Sequence, residues 1–211
     1  IAGMPINIRL IDPPLHEFLP QGEKEKIALA EALKLPIEVI NQRLHALHEV
    51  NPMLGHRGCR LGITYPQIYA MQVEAIVTAA IELKHETNID TDIEIMIPLI
   101  AHELELANLR TLSINVITTI EEKLGGKVNY KIGTMIELPR AALRANKIAP
   151  FADYFSFGTN DLTQTTYGIS RDDVASFIPQ YLAQKILPND PFTKIDQDGV
   201  GELIQIAIKR G

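Results

Sequence analysis

The chain has 211 residues, of which 46% are hydrophobic, 22% charged and 6% aromatic, and its formal net charge is -6. That is enough apolar material for one domain with a sizeable core, and an acidic balance without a basic run disfavours nucleic acid or an anionic membrane as partner. The single cysteine, Cys59, excludes an internal disulfide and fits a reducing, cytoplasmic compartment. No apolar stretch approaches the roughly 18 residues of a membrane span, and Ile1 to Pro5 lacks the basic region and long apolar core of a signal peptide. A start at Ile rather than Met leads to the expectation that the chain begins inside a longer polypeptide or was processed.

Ile6 to Ile11 is short, apolar and β-rich, and Asp12-Pro13-Pro14 ends it. Gly22 to Leu33 reads as a helix with its charges on one side. Pro36 to Val50 reads as a second, with Ile37, Ile40, Leu44 and Leu47 on one stripe and Pro36 suited to the first turn. Asn51 to Gly62 contains Pro52, Gly55, Gly58 and Gly62 and is predicted to be a loop. A long amphipathic helix over 66–84 buries Ile68, Met71, Ala75, Ile76, Ala79 and Leu83. Ile93 to Ile97 is an apolar strand stopped by Pro98. The spacing predicts a helix over 102–124, ended by Gly125-Gly126.

Tyr130 to Ile136 is a strand, Pro139 opens a short helix, and Tyr154 to Phe157 is a strand followed by the loop Gly158-Thr159-Asn160-Asp161. Ser170-Arg171-Asp172-Asp173 has the serine cap and acidic first turn of a helix start. A last helix spans about 199–209. Four strands separated by helices is the pattern of a parallel α/β sheet. The last three strands end in polar residues or Gly/Pro loops, and the ligand sites of α/β sheets and barrels lie at that end. No repeat, low-complexity segment or linker divides the chain.

Several residues could carry chemistry. Glu137 and Asp161 each end a predicted strand. Two carboxylates at one mouth can hold a hard divalent cation whose remaining positions go to water and substrate oxygens; equally, each could cap a neighbouring turn. Arg57 lies between His56 and Gly58, within Gly55-His-Arg-Gly58. A guanidinium on a backbone that can approach closely suits phosphate or carboxylate recognition, and a surface arginine in a turn is the plain alternative. Arg9 lies late in the first strand, where it would face the mouth or pair with Asp12 or a helix carboxylate. Gly158, Thr159, Asn160 and Asp161 offer consecutive N–H groups and an amide, a nest for a carboxylate or ordinary turn chemistry. Cys59 reads as a small packed residue rather than a nucleophile. His45 and His48 read as surface residues, since no histidine shows zinc-ligand spacing.

Four segments carry a family resemblance: Arg9-Leu-Ile-Asp-Pro-Pro-Leu-His-Glu-Phe18, Gly55-His-Arg-Gly-Cys-Arg-Leu61, Gly133-Thr-Met-Ile-Glu-Leu-Pro-Arg140 and Phe155-Ser-Phe-Gly-Thr-Asn-Asp-Leu-Thr-Gln-Thr-Thr166. In order, and over nearly the whole chain, they resemble the C-terminal phosphoenolpyruvate/pyruvate-binding domain of the pyruvate, phosphate dikinase family. The Gly-Thr-Asn-Asp-Leu-Thr-Gln stretch is shared with phosphoenolpyruvate synthase and with enzyme I of the sugar phosphotransferase system; Asp-Pro-Pro-Leu-His-Glu-Phe is similar to the dikinases in particular. The resemblance implies a (β/α)8 TIM-type barrel, here incomplete, with about the middle four strands and their helices across 1–211.

It also implies reversible phosphoryl exchange between a phosphohistidine and enolpyruvate, part of the conversion of ATP, pyruvate and phosphate to AMP, phosphoenolpyruvate and pyrophosphate. The phosphohistidine and nucleotide-binding domains lie outside this chain. By the same resemblance Arg9 and Arg57 grip the phosphoryl group, and Glu137 and Asp161 hold Mg2+. Asn160, with the backbone of Gly158 and Thr159, binds the carboxylate. The swivelling phosphohistidine domain and a second copy of the parent chain are the implied partners, in the cytoplasm, or in a plastid if the source is a plant. The family's general-acid cysteine would fall just past Gly211, and Cys59 does not match it, so the fragment alone is expected to be inactive. Three readings stand against this one: a relative of phosphoenolpyruvate synthase or phosphotransferase enzyme I, a structural or dimerisation piece with no activity, and a Mg2+-dependent carbon–carbon lyase on the same barrel type.

Overall fold

In a computed structural model, residues 4–48, 51 and 53–211 are described. The sheet has four strands, β1 (Ile6–Arg9), β2 (Asp92–Ile97), β3 (Asn129–Ile136) and β4 (Phe155–Phe157), in the order β1-β2-β3-β4 and all parallel. Each neighbour is reached through helices, as parallel pairing requires. The sheet curls into half a barrel, with β1 and β4 as its edges. The α/β class and the parallel order are those read from the sequence.

Register explains the two faces. Ile6, Ile93 and Tyr130 stand level, as do Ile8, Ile95 and Ile132, and successive side chains alternate between faces. On the outer face Ile93, Ile95, Ile97, Ile132 and Ile136 join one core with Tyr69, Val73 and Val77 of α4 (Pro66–Thr87) and Leu106, Leu109 and Ile117 of α5 (Glu103–Leu124). The opposite face is polar: Asn7 Nδ2 donates to Glu94 Oε2 at 3.1 Å and to the Tyr154 hydroxyl at 3.0 Å, and Lys131 pairs with Glu94 at 3.5 Å. A flat sheet covered by helices on both sides would be apolar on both. The polar inner layer suits a concave interior. Beside the β1 edge, Ile6, Ile8, Ala75, Ile76, Ala79 and Leu83 line an apolar groove of about 390 Å³.

The remaining helices are α1 (Glu23–Leu33), α2 (Ile37–Leu47), α3 (Cys59–Thr64), α6 (Pro139–Leu143), α7 (Ala145–Ile148), α8 (Thr159–Tyr167), α9 (Ile178–Ala183) and α10 (Val200–Arg210). Several expectations change. The face read as buried on the 66–84 helix is displaced: its buried side chains are Tyr69, Val73, Val77, Ala80 and Ile81, while Met71 is 62% and Leu83 38% exposed. The stretch 51–62, read as a loop for its Pro and Gly, turns helical at Cys59, because Gly58 supplies the φ of +55° that redirects the chain into α3; Pro52 lies outside the described residues. The loop expected at 158–161 is only Gly158: Thr159, Asn160 and Asp161 form the first turn of α8, where an acidic residue suits the helix dipole. Residues 170–173 start no α-helix; the Ser170 hydroxyl accepts from Asp172 N–H at 3.2 Å and closes a turn before a short 3-10 segment at Val174–Ser176. The helix predicted over 36–50 ends at Leu47, and residues 49 and 50 lie outside the described residues.

Candidate functional site

The carboxyl ends of the four strands supply one constellation. Past β1 comes Asp12, past β2 Leu99, past β3 Glu137, and past β4 Gly158 and the opening turn of α8 with Asp161. Arg57 enters from the connection between β1 and α4, one residue before the Gly58 turn. The last residue of β1 is Arg9.

Arg57 is 6% exposed and donates from every guanidinium nitrogen. Its Nε reaches Asp12 Oδ1 at 3.3 Å and its Nη2 reaches Asp12 Oδ2 at 2.6 Å. Nη1 and Nη2 reach Asp161 Oδ1 and Oδ2, both at 3.2 Å, and Nη1 also reaches the Met53 carbonyl at 3.2 Å. This fork geometry is what arginine, and not lysine, can make with carboxylates. Burial opposes the charge, but the hydrogen bonds and charges of Asp12 and Asp161 outweigh it and push the Arg57 pKa up. Arg9 Nη1 joins Asp12 Oδ2 at 3.0 Å while its own side chain stays 43% exposed. Of the two readings of Arg9, the salt bridge to Asp12 is present, and it sits at the mouth.

Glu137 is 1% exposed. Its Oε1 accepts from Leu99 N–H at 2.6 Å. Burial raises its pKa from 4.5 to about 8, and the charges of Asp12 and Asp161 add to that rise; the Leu99 hydrogen bond and Arg57 oppose it. Gly158 makes the packing possible, since a Cβ there would lie 2.5 Å from Glu137 Oε2 and 2.6 Å from Met135 Sδ. Asp161 also accepts from Gln164 Nε2 at 3.1 Å. Thr159 and Asn160 are exposed at the start of α8. Met53 and Gln164 both line a cavity of about 610 Å³, together with Ile169 and Asp172.

Asp12 and Asp161 thus balance the two guanidiniums, and Glu137, its pKa raised to about 8, is a third carboxyl that a bound cation would draw into its ionised form. Glu137 and Asp161 are hard oxygen donors and fit Mg2+ by chemistry. Among the described residues no three His, Cys, Asp or Glu side chains form a cage for a metal. A two-carboxylate site would therefore leave most positions to water and substrate oxygens, as Mg2+ prefers. Cys59 is fully buried; its Sγ contacts the Leu99 carbonyl at 3.2 Å, and burial pushes the thiol pKa up. It is inert by the criteria that mark reactive thiols. His45 and His48 lie on and after α2, where they line a shallow groove with Lys26 and Asn41.

Sequence reasoning singled out Arg9, Arg57, Glu137 and Asp161, and the structure brings them together. It missed Asp12 as a member, having seen it only as a salt-bridge partner of Arg9, and it missed Leu99. The signal for Asp12 was its place directly after a strand; Leu99 carried none, because its contribution is a backbone N–H.

A family model described as PEP-utilising enzyme, PEP-binding domain matches residues 1–211. The chain is 63% identical over 211 residues to the pyruvate, phosphate dikinase of Rickettsia bellii, an alignment covering 100% of this chain and 24% of that protein. It is 61% identical to that of Rickettsia prowazekii and 49% identical to that of Clostridium symbiosum, with the same coverage of each. The chain spans about a quarter of the length of these curated relatives. Matched from its first residue to its last, it belongs to the PEP-utilising enzyme family, through that family's PEP-binding domain.

Proposed function

We propose that this chain forms the phosphoenolpyruvate/pyruvate half-site of a pyruvate, phosphate dikinase, and that the sheet is the middle portion of a (β/α)8 barrel. The observation that carries the reading is Arg57, buried and held by Asp12 and Asp161 at the carboxyl ends of the strands, beside the buried Glu137. Arg57 and Arg9 offer two guanidiniums to a phosphoryl group, and phosphoryl transfer is chiefly positioning and charge neutralisation. The exposed amide of Asn160 and the N–H of Thr159 at the positive end of α8 suit a carboxylate, whereas the Gly158 N–H is held by the Ile136 carbonyl at 3.1 Å, so Gly158 contributes its small size rather than a donor. Glu137 and Asp161 would hold Mg2+, which when bound supplies Lewis-acid stabilisation of an enolate oxygen.

Proton transfer to carbon needs a donor, and Cys59 is unsuited to that role. The 211 residues alone would therefore bind but not turn over, in keeping with their share of the relatives' length. In the whole protein the reaction would be the reversible conversion of ATP, pyruvate and phosphate to AMP, phosphoenolpyruvate and pyrophosphate. A swivelling phosphohistidine domain would deliver the phosphoryl group in a cytoplasmic homodimer. The likeness to pyruvate, phosphate dikinases favours the dikinase over phosphoenolpyruvate synthase, phosphotransferase enzyme I or a lyase.

Thermal unfolding with Mg2+ and phosphoenolpyruvate, or with Mg2+ and oxalate as an enolpyruvate mimic, tests the reading. Preferential binding to the folded form raises the midpoint. An unmoved midpoint at millimolar ligand overturns it.

A further inference from the structure

We propose that Asp12 is a positioning residue for the phosphoryl-binding arginines, the fixed partner from which Arg57 is presented to the ligand, whereas Asp161 is its releasable partner. This rests on the reading of the site as a phosphoenolpyruvate site.

The argument begins with donors. Arg57 has an acceptor for each of its N–H groups: Asp12 for Nε, Met53 and Asp161 for Nη1, and Asp12 and Asp161 for Nη2. A saturated guanidinium cannot bind a phosphoryl group without giving up a protein partner. The two carboxylates differ in what they can give. The Asp12 side chain is 4% exposed and holds Nη2 at 2.6 Å; the Asp161 side chain is 15% exposed, and both its bonds to Arg57 are 3.2 Å. Asp161 has work elsewhere if it binds a cation. Once its oxygens turn to the cation, one N–H on each of Nη1 and Nη2 is freed on the side facing α8. The contacts to Asp12, on the Nε edge, can remain.

Asp12 is built into the backbone around Arg57 as well. Its carbonyl accepts from Gly58 N–H at 2.9 Å, and a Cβ at Gly58 would lie 2.9 Å from its Oδ1. Its Oδ2 also takes Arg9 Nη1. One buried carboxylate therefore sets the distance between the two guanidiniums and fixes the plane of the buried one. A loosened Arg57 should harm a ligand that carries a phosphoryl group and spare one that carries only carboxylates.

The test compares Asp12→Asn with the wild type in the full-length protein, measuring dissociation constants for phosphoenolpyruvate and for oxalate, both with Mg2+, and the unfolding midpoint. The expected result is phosphoenolpyruvate weakened about ten- to a hundredfold, with oxalate within about twofold. Arg57→Lys should give the same split, and the double variant should be little worse than either single one, because the two act as a unit. Phosphoenolpyruvate affinity unchanged in Asp12→Asn overturns the proposal. So does parallel weakening of both ligands in step with a lowered midpoint, which is the signature of a merely structural carboxylate. If Asp12→Asn does not fold, Asp12→Glu is read in its place against the same two ligands. A wild-type protein that binds neither ligand overturns the reading of the site, and this inference with it.

Discussion

The Leu99 amide and the Glu137 carboxylate meet at 2.6 Å, and the leucine reaches that position with a φ of +63°. A branched side chain in the left-handed region costs about 1–2 kcal/mol. Leu99 is 1% exposed, directly after Pro98 at the end of β2, so the surrounding core holds it there. The strained turn aims an N–H at a carboxylate that burial would otherwise leave without a donor. That contact, together with Arg57, is what opposes the rise in the Glu137 pKa.

Glu137 should make stability fall with pH when no divalent cation is present. Its folded pKa, about 8, lies above the ordinary 4.5, so the protonated form is favoured by folding. The contribution is fully present below about 4.5 and is lost as pH rises through about 8. Unfolding midpoints at pH 6 and pH 9 should therefore diverge more for the wild type than for Glu137→Gln. Added Mg2+ should shrink the wild-type difference and leave the variant's alone. Equal pH slopes for the two proteins would remove Glu137 as the titrating group.

Binding of Mg2+ should release protons near neutral pH and tighten as pH rises toward 8, because the ligand is the ionised carboxylate. Calorimetric titration in two buffers of different ionisation enthalpy reads the proton count directly. A count of zero at pH 7 contradicts the protonated resting state of Glu137.

Gly158→Ala should weaken Mg2+–oxalate binding by about tenfold or more while lowering stability by about 1–3 kcal/mol, the usual range for overpacking. The new Cβ would have to displace Glu137 Oε2 and Met135 Sδ. Gly168→Ala is a useful contrast. Its φ of +68° gives it a backbone cost, but nothing lies within 4 Å of a Cβ there, so it should destabilise without touching affinity.

Cys59 should be silent toward thiol reagents in the native protein. It is fully buried and its pKa is pushed up by burial, so little thiolate exists at pH 8. Reaction with a chromogenic disulfide should proceed only as fast as unfolding exposes the group, and Cys59→Ala should leave affinity for Mg2+–oxalate within about twofold of the wild type. Rapid labelling of the folded protein would show that the α3 region opens.

The order of elements was legible because each segment carries its own local signal. Alternating apolar runs marked β1, β2, β3 and β4, and Gly125 stops α5 in the left-handed conformation. Arg9, Arg57, Glu137 and Asp161 could be picked out because strand ends and Gly-flanked arginines are recognisable locally. Errors fell where a local cue serves two geometries. Gly58 argued for a loop and in fact starts α3; Gly158-Thr-Asn-Asp161 argued for a turn and is the first turn of α8.

Local chemistry along the chain thus settled the class of the fold, the direction of its strands and the kinds of side chain at their ends. It did not settle who pairs with whom. Asp12 and Arg57 are 45 positions apart, and Arg57 and Asp161 are 104 apart. Only the curling of β1 through β4 brings them within hydrogen-bond reach. The burial that raises the Glu137 pKa, and the strain that points Leu99 at it, likewise exist only once α4 and α5 close over the sheet, because a carboxylate's ionisation depends on the water it has lost rather than on its neighbours in sequence.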